Sequence, residues 1–143
     1  MKKIVLLLYL FAFCLACHTQ AQSPARTVQE ISQRDFYQNI AQRDSAGNWQ
    51  YKNKQVTVVD FNATWCGPCR RLAPILKELA AEMPNVDFFS IDIDDNKELA
   101  RQLKISSIPM LLICPVGEAP QAIVGLYPKE EIIKVIDYVS KGN

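Results

Sequence analysis

Residues 56–80 read VTVVDFNATWCGPCRRLAPILKELA, with Cys66 and Cys69 three positions apart where an apolar run gives way to a helical pattern. Val56 to Phe61 is short and rich in β-branched residues, as in a strand buried on both faces. Leu72, Ile75, Leu76 and Leu79 then recur with a 3.6-residue period. That spacing predicts a helix from about Cys66 to Met83, kinked at Pro74, where a backbone donor is missing. The cysteines thus stand at a strand-to-helix junction. Three uses compete for them: a staple, half of a metal site, or a redox reagent.

Two Cα atoms at i and i+3 of a helix lie about 5 to 6 Å apart, a separation a disulfide accepts. As a staple, so short a loop contributes roughly 2 kcal/mol, less than a long loop would. As a zinc site the pair lacks partners, because structural zinc takes four ligands and only Cys114 and His18 remain beside it. No metal is expected. The redox use gives each residue of the stretch a task. Cys66, at the first turn, faces unpaired backbone N–H groups and the positive end of the helix dipole, which stabilise a thiolate and make it the nucleophile. Cys69, one turn in and less exposed, attacks the mixed disulfide formed at Cys66 and closes the bridge. Gly67 lets a partner chain come close, and Pro68 pre-sets the first-turn dihedral without wasting a needed donor. Trp65 reads as a flat apolar rim beside the sulfur, with a core aromatic as the alternative.

The chain of 143 residues accommodates one ordinary domain. Apolar residues make up 49% and charged ones 22%, a globular balance, and a formal charge of +1 provides no basic field for nucleic acid. The segment MKKIVLLLYLFAFCLACHTQAQS has two lysines, an apolar run from Ile4 to Ala16, then small and polar residues, the plan of a secretory signal peptide. The run is shorter than the ~18 to 20 residues a membrane span needs. Thr19-Gln20-Ala21 suits cleavage after Ala21, giving a leader over 1–21 and a domain over 22–143. Leu15-Ala16-Cys17 resembles the lipobox of bacterial lipoproteins, which would leave a lipid anchor on Cys17, although Cys14 holds the place of its usual leucine. Either cut leaves Cys66, Cys69 and Cys114 as the thiols of an exported, periplasmic domain, too few for a disulfide framework.

Residues 22–27 read as a lead-in, and SQRDFYQNIAQ from Ser32 as a capped helix with Phe36, Tyr37 and Ile40 on one face. RDSAGNWQYKNKQ reads as a polar, turn-rich loop, a lengthened connection or a partner-specific surface. Strands are predicted at Val86 to Asp92, in PMLLIC and in AIVGLY, and helices in DNKELARQLK and KEEIIKVIDYVSK. The expected order is αβαβαββα.

WCGPC at Trp65 to Cys69, between VVDF and RRLAPIL, resembles the thioredoxin family. SIDIDDN from Ser90, SSIPMLLI from Ser106 and VGLYPKEEI from Val124 follow in that family's order and spacing, so the likeness runs from about Val56 to Val139. It implies an α/β thioredoxin fold, a central mixed β-sheet flanked by α-helices. It also implies roles. Asp60 matches the family's buried carboxylate, proton acceptor for the inner cysteine, with a strand-end cap as the alternative. Pro109 matches the cis-proline beside the disulfide, with Ile108 pairing a substrate strand, and Gly125 matches the glycine that keeps the substrate groove open. Asn62 and Ser90 depart from the pattern, where many members carry tryptophan and lysine.

The resemblance points to a monomeric protein-disulfide reductase acting on extracytoplasmic proteins. A cytochrome-c-maturation reductase and a non-enzymatic thioredoxin-fold binding module are the alternatives. No nicotinamide or flavin fingerprint occurs, so no cofactor is expected and electrons must come from another thiol protein, a membrane carrier.

Overall fold

The computed structural model describes residues 26–141; the leader segment, with Cys14, Cys17, His18 and both cleavage positions, lies outside the described residues. In chain order the elements are β1 (Gln29–Glu30), α1 (Gln33–Asn39), β2 (Ala41–Arg43), β3 (Trp49–Tyr51), β4 (Val56–Asn62) and α2 (Gly67–Glu82). They continue with β5 (Val86–Asp92), α3 (Lys97–Gln102), β6 (Met110–Cys114), β7 (Gln121–Val124) and α4 (Lys129–Ser140). The main sheet has the order β1-β5-β4-β6-β7. β1, β5 and β4 run parallel, whereas β6 lies antiparallel to both β4 and β7. This is the thioredoxin fold, a mixed sheet between helices.

Side chains alternate across a strand, so each central strand feeds two cores. Val58, Val86, Phe88, Leu111 and Ile113 meet Leu72, Leu76 and Leu79 of α2 and Ile132, Ile136 and Val139 of α4 on one face. Val59, Phe61, Ile91, Leu112 and Cys114 meet Phe36 of α1 and Leu99 of α3 on the other. The apolar runs read as strands are therefore buried on both sides. Ser32 caps α1 and forms a reciprocal capping box with Asp35, as its position ahead of the helical pattern predicts.

Three strands depart from the expected order. The segment from Arg43 to Gln55 is no plain loop: β2 and β3 form an antiparallel hairpin, with Arg43 opposite Trp49 and Ala41 opposite Tyr51. Its turn is held by Asp44, whose Oδ1 accepts from the N–H groups of Ala46 and Asn48, each at 2.9 Å. Trp49 stacks on Tyr37 with ring centroids 6.5 Å apart and meets Phe36 edge-on at 6.1 Å. The hairpin thus closes the second core. β1, only two residues long, adds the parallel edge beside β5, with Gln29 opposite Phe89 and Glu30 opposite Ser90. Just ahead of it, Arg26 pairs with Asp87 near the start of β5 at 2.8 Å.

Candidate active site

Cys66 is the N-cap of α2, Gly67 opens the helix and Pro68 follows it in the first turn. The backbone N–H of Cys69 donates to Cys66 Sγ at 3.2 Å. The two cysteines are joined as a disulfide, with Cα atoms 5.3 Å apart, inside the separation expected of i, i+3 positions. Cys69, expected to be less exposed than Cys66, is instead as buried as its partner, at 5% against 4%. The reason is local packing: Ala63, Ile93 and Ile108 close over the pair. α2 runs unbroken through Pro74 to Glu82.

Trp65 is 65% exposed and its indole N–H donates to Asp94 Oδ2 at 2.7 Å, so it lies outside the core and is fixed at the rim of the disulfide. Ile108 packs against the cysteines just before β6, and the Ile108–Pro109 peptide is cis. Gly125 donates its N–H to the Pro109 carbonyl at 2.8 Å with φ of 113°, a conformation only glycine adopts without strain. Cys66, Cys69, Trp65, Ile108, Pro109 and Gly125 therefore form one region at a single end of the sheet. Leu126 and Tyr127, exposed just after Gly125, add apolar surface to it.

Asp60 sits inside β4 and is 4% exposed, not at a strand end. It lines a cavity of about 180 Å³ with Ala73, Leu76 and Lys77 of α2, Ser90 of β5, and Val28 and Glu30. Ala73 lies one turn beyond Cys69 on the same helix face, so the carboxyl is beneath the helix that carries the disulfide. Burial pushes the Asp60 pKa up to about 7, while a hydrogen bond from Asn62 pulls it down. A carboxyl at that value exchanges protons at neutral pH. Cys114, at the end of β6, is fully buried, and desolvation raises its thiol to about 12.

A thioredoxin family profile matches residues 27–138. The chain belongs to the thioredoxin family. A thioredoxin from Chlamydia trachomatis is 38% identical over 109 residues, spanning 76% of this chain and 95% of that protein. One from Staphylococcus aureus is 42% identical over 83 residues, 57% of this chain and 80% of that protein. Among solved structures, chloroplastic thioredoxin z superposes with a TM-score of 0.68 at 31% identity, over 81% of this chain and 96% of that one. With a disulfide at the head of α2, this thioredoxin-family member is a thiol–disulfide oxidoreductase.

Two contacts of the thioredoxin site escaped the sequence reading. The Trp65–Asp94 bond joins residues 29 apart in sequence and left no local signal. Asn62 stands in the sequence only as a departure from the family pattern, with no partner assigned to it. Its amide bonds Asp60, and two polar residues two apart on an apolar strand were the available clue.

Proposed function

We propose that this thioredoxin-family chain is an extracytoplasmic reductase of protein disulfides. The observation that carries the reaction is the Cys66–Cys69 bridge at the start of α2, with Asp60 buried beneath the same helix. In the reduced enzyme the Cys66 thiolate attacks one sulfur of a substrate disulfide. A Cys66–substrate disulfide forms, and the other substrate sulfur leaves as a thiolate that water protonates. Cys69 passes its thiol proton to the Asp60 carboxylate and attacks Cys66 Sγ. The Cys66–Cys69 bond closes, the second substrate thiolate leaves, and two electrons have moved to the substrate.

The region around Ile108 and Gly125 supports an extended peptide as the bound form of the substrate. Ile108 lies just outside the β6 ladder and would pair its backbone with an added strand, with Trp65, Leu126 and Tyr127 as exposed apolar contacts. Export is supported by the leader pattern of residues 1–21, and a reductase outside the cytoplasm needs electrons from a membrane thiol carrier. The test has two arms. Insulin turbidity with dithiothreitol should show reduction faster than dithiothreitol alone; a rate no higher would leave a binding module. Mass spectrometry of protein from its native host should find a chain starting at Gln22 or a lipidated Cys17, and a dominant intact Met1 form would defeat export by this leader.

A further inference from the structure

Asp60 and Asn62 are two apart on β4 and so point to one face, and Ser90 is the cross-strand partner of Asp60 on β5. On a face otherwise built from Val58, Val86 and Phe88, these three polar side chains form a connected group. Asn62 Nδ2 donates to Asp60 Oδ2 at 3.1 Å and to Ser90 Oγ at 2.8 Å, with a longer contact to the Asp60 carbonyl at 3.3 Å. Asp60 Oδ1 is buried and has no hydrogen-bond partner among the described residues.

We infer that Asn62 is a positioning residue for Asp60: its amide holds Oδ2 and favours the carboxylate, leaving Oδ1 as the oxygen that takes the proton. A donated N–H bond to a carboxylate is stronger than one to a neutral carboxyl, so the contact stabilises the charged form that must receive a proton. Ser90 accepts the other amide hydrogen and fixes the plane in which Asn62 reaches Oδ2. The cavity beside Asp60 presents Ser90 from β5, Ala73, Leu76 and Lys77 from α2, and Val28 and Glu30 from the β1 side; Leu111 of β6 is the cross-strand partner of Asp60. Among these the charged groups are Lys77 and Glu30, both on exposed residues, so among the described residues Asn62 is the donor that the buried carboxylate has. Burial alone would drive Asp60 further up than about 7, and Asn62 opposes that drift.

The inference rests on the reading of Asp60 as proton acceptor, so the experiment separates the two. Carbon-13 NMR of the Asp60 carboxyl follows its titration in the oxidised full chain, and insulin reduction is followed over the same pH range. Asn62→Leu, similar in size but without a donor, should raise the Asp60 titration by about 1 unit, as expected for loss of one hydrogen bond to a charged group. The acid limb of the activity profile should move by the same amount. Asn62→Gln keeps an amide and should return part of the shift. If Asn62→Leu does not fold, Ser90→Ala replaces it and should give a smaller upward shift, because the amide loses the acceptor that orients it. An unmoved titration in the folded variant, or equal movement in the Leu and Gln variants, overturns the role of Asn62. A moved titration beside an unmoved activity profile upholds the hold of Asn62 on Asp60 and counts against Asp60 as the proton acceptor.

Discussion

The backbone N–H of Cys69 donates to the sulfur of Cys66 across 3.2 Å, so Cys66 Sγ is the N-cap acceptor of α2. The first-turn N–H groups of a helix have no intrahelical acceptor, and a sulfur placed there is met by a donor and by the positive end of the helix. In the reduced protein that arrangement favours a thiolate at Cys66 over one at Cys69. Cys69→Ser should therefore still attack substrates but stall as a mixed disulfide through Cys66, recoverable on non-reducing gels. Cys66→Ser should form none. A mixed disulfide trapped through Cys69 in the Cys66→Ser variant would reverse these roles.

Asp60→Asn should slow disulfide reduction and leave alkylation of reduced Cys66 fast, since the carboxyl serves the second step. It also changes stability with a defined sign. The folded pKa of about 7 lies above the ordinary 3.8, so the folded state binds more protons than the unfolded state between those values and stability falls as pH rises through that window. A gap of about 3 units corresponds to roughly 4 kcal/mol of destabilisation, fully present only above pH 7. The amide variant should thus melt higher than the parent at pH 8 and lose that advantage near pH 4. An equal difference at both pH values would remove the buried charge as its cause.

Cys114 is enclosed by the second core and its thiol is raised to about 12, so it carries no thiolate at neutral pH. Cys114→Ala should keep disulfide reduction near the parent rate and lower stability by about 1 kcal/mol, the scale of losing one small buried group. In the folded protein the residue should resist iodoacetamide until denaturant is added. A loss of activity comparable with that of Cys66→Ser would make it a third redox thiol.

Equilibration with glutathione should place the Cys66–Cys69 couple near the value typical of thioredoxins, about −270 mV, and far from the −120 mV or so of a strong periplasmic oxidant. The gap is roughly 7 kcal/mol for a two-electron couple. Asn62 and Ser90, where many family members carry tryptophan and lysine, are expected to shift the potential by less than that gap. A measured potential near the oxidant's would turn the direction of electron flow around.

The central strands and long helices were legible because their patterns are local. Val58 and Val59 face opposite cores, so β4 shows as a continuous apolar run, and Leu72, Leu76 and Leu79 mark the buried stripe of α2. The hairpin was not legible in the same way. Its strands have three residues each, and only the alternation Trp49-Gln50-Tyr51 betrays a buried side, which the polar residues around it obscure. β1 is set by its pairing with Phe89 and Ser90, some 60 residues away, and by nothing in its own two residues. At the site, the cysteines and Trp65 carry chemistry in their residue types. The Asp60–Asn62–Ser90 group depends on the parallel register of β4 and β5, which no single stretch of chain displays.

The ion pair of Arg26 with Asp87 gives the molecule a direction. Asp87 stands near the start of β5, whereas Ile93, one residue past its end, packs against the cysteines. Six residues of extended chain separate the two, about 20 Å at 3.3 Å per residue. The backbone leading into the domain thus enters at the pole opposite the disulfide. A pull applied to the chain at Arg26 would thus reach the sheet first at the start of β5, a full strand length from the reactive pair.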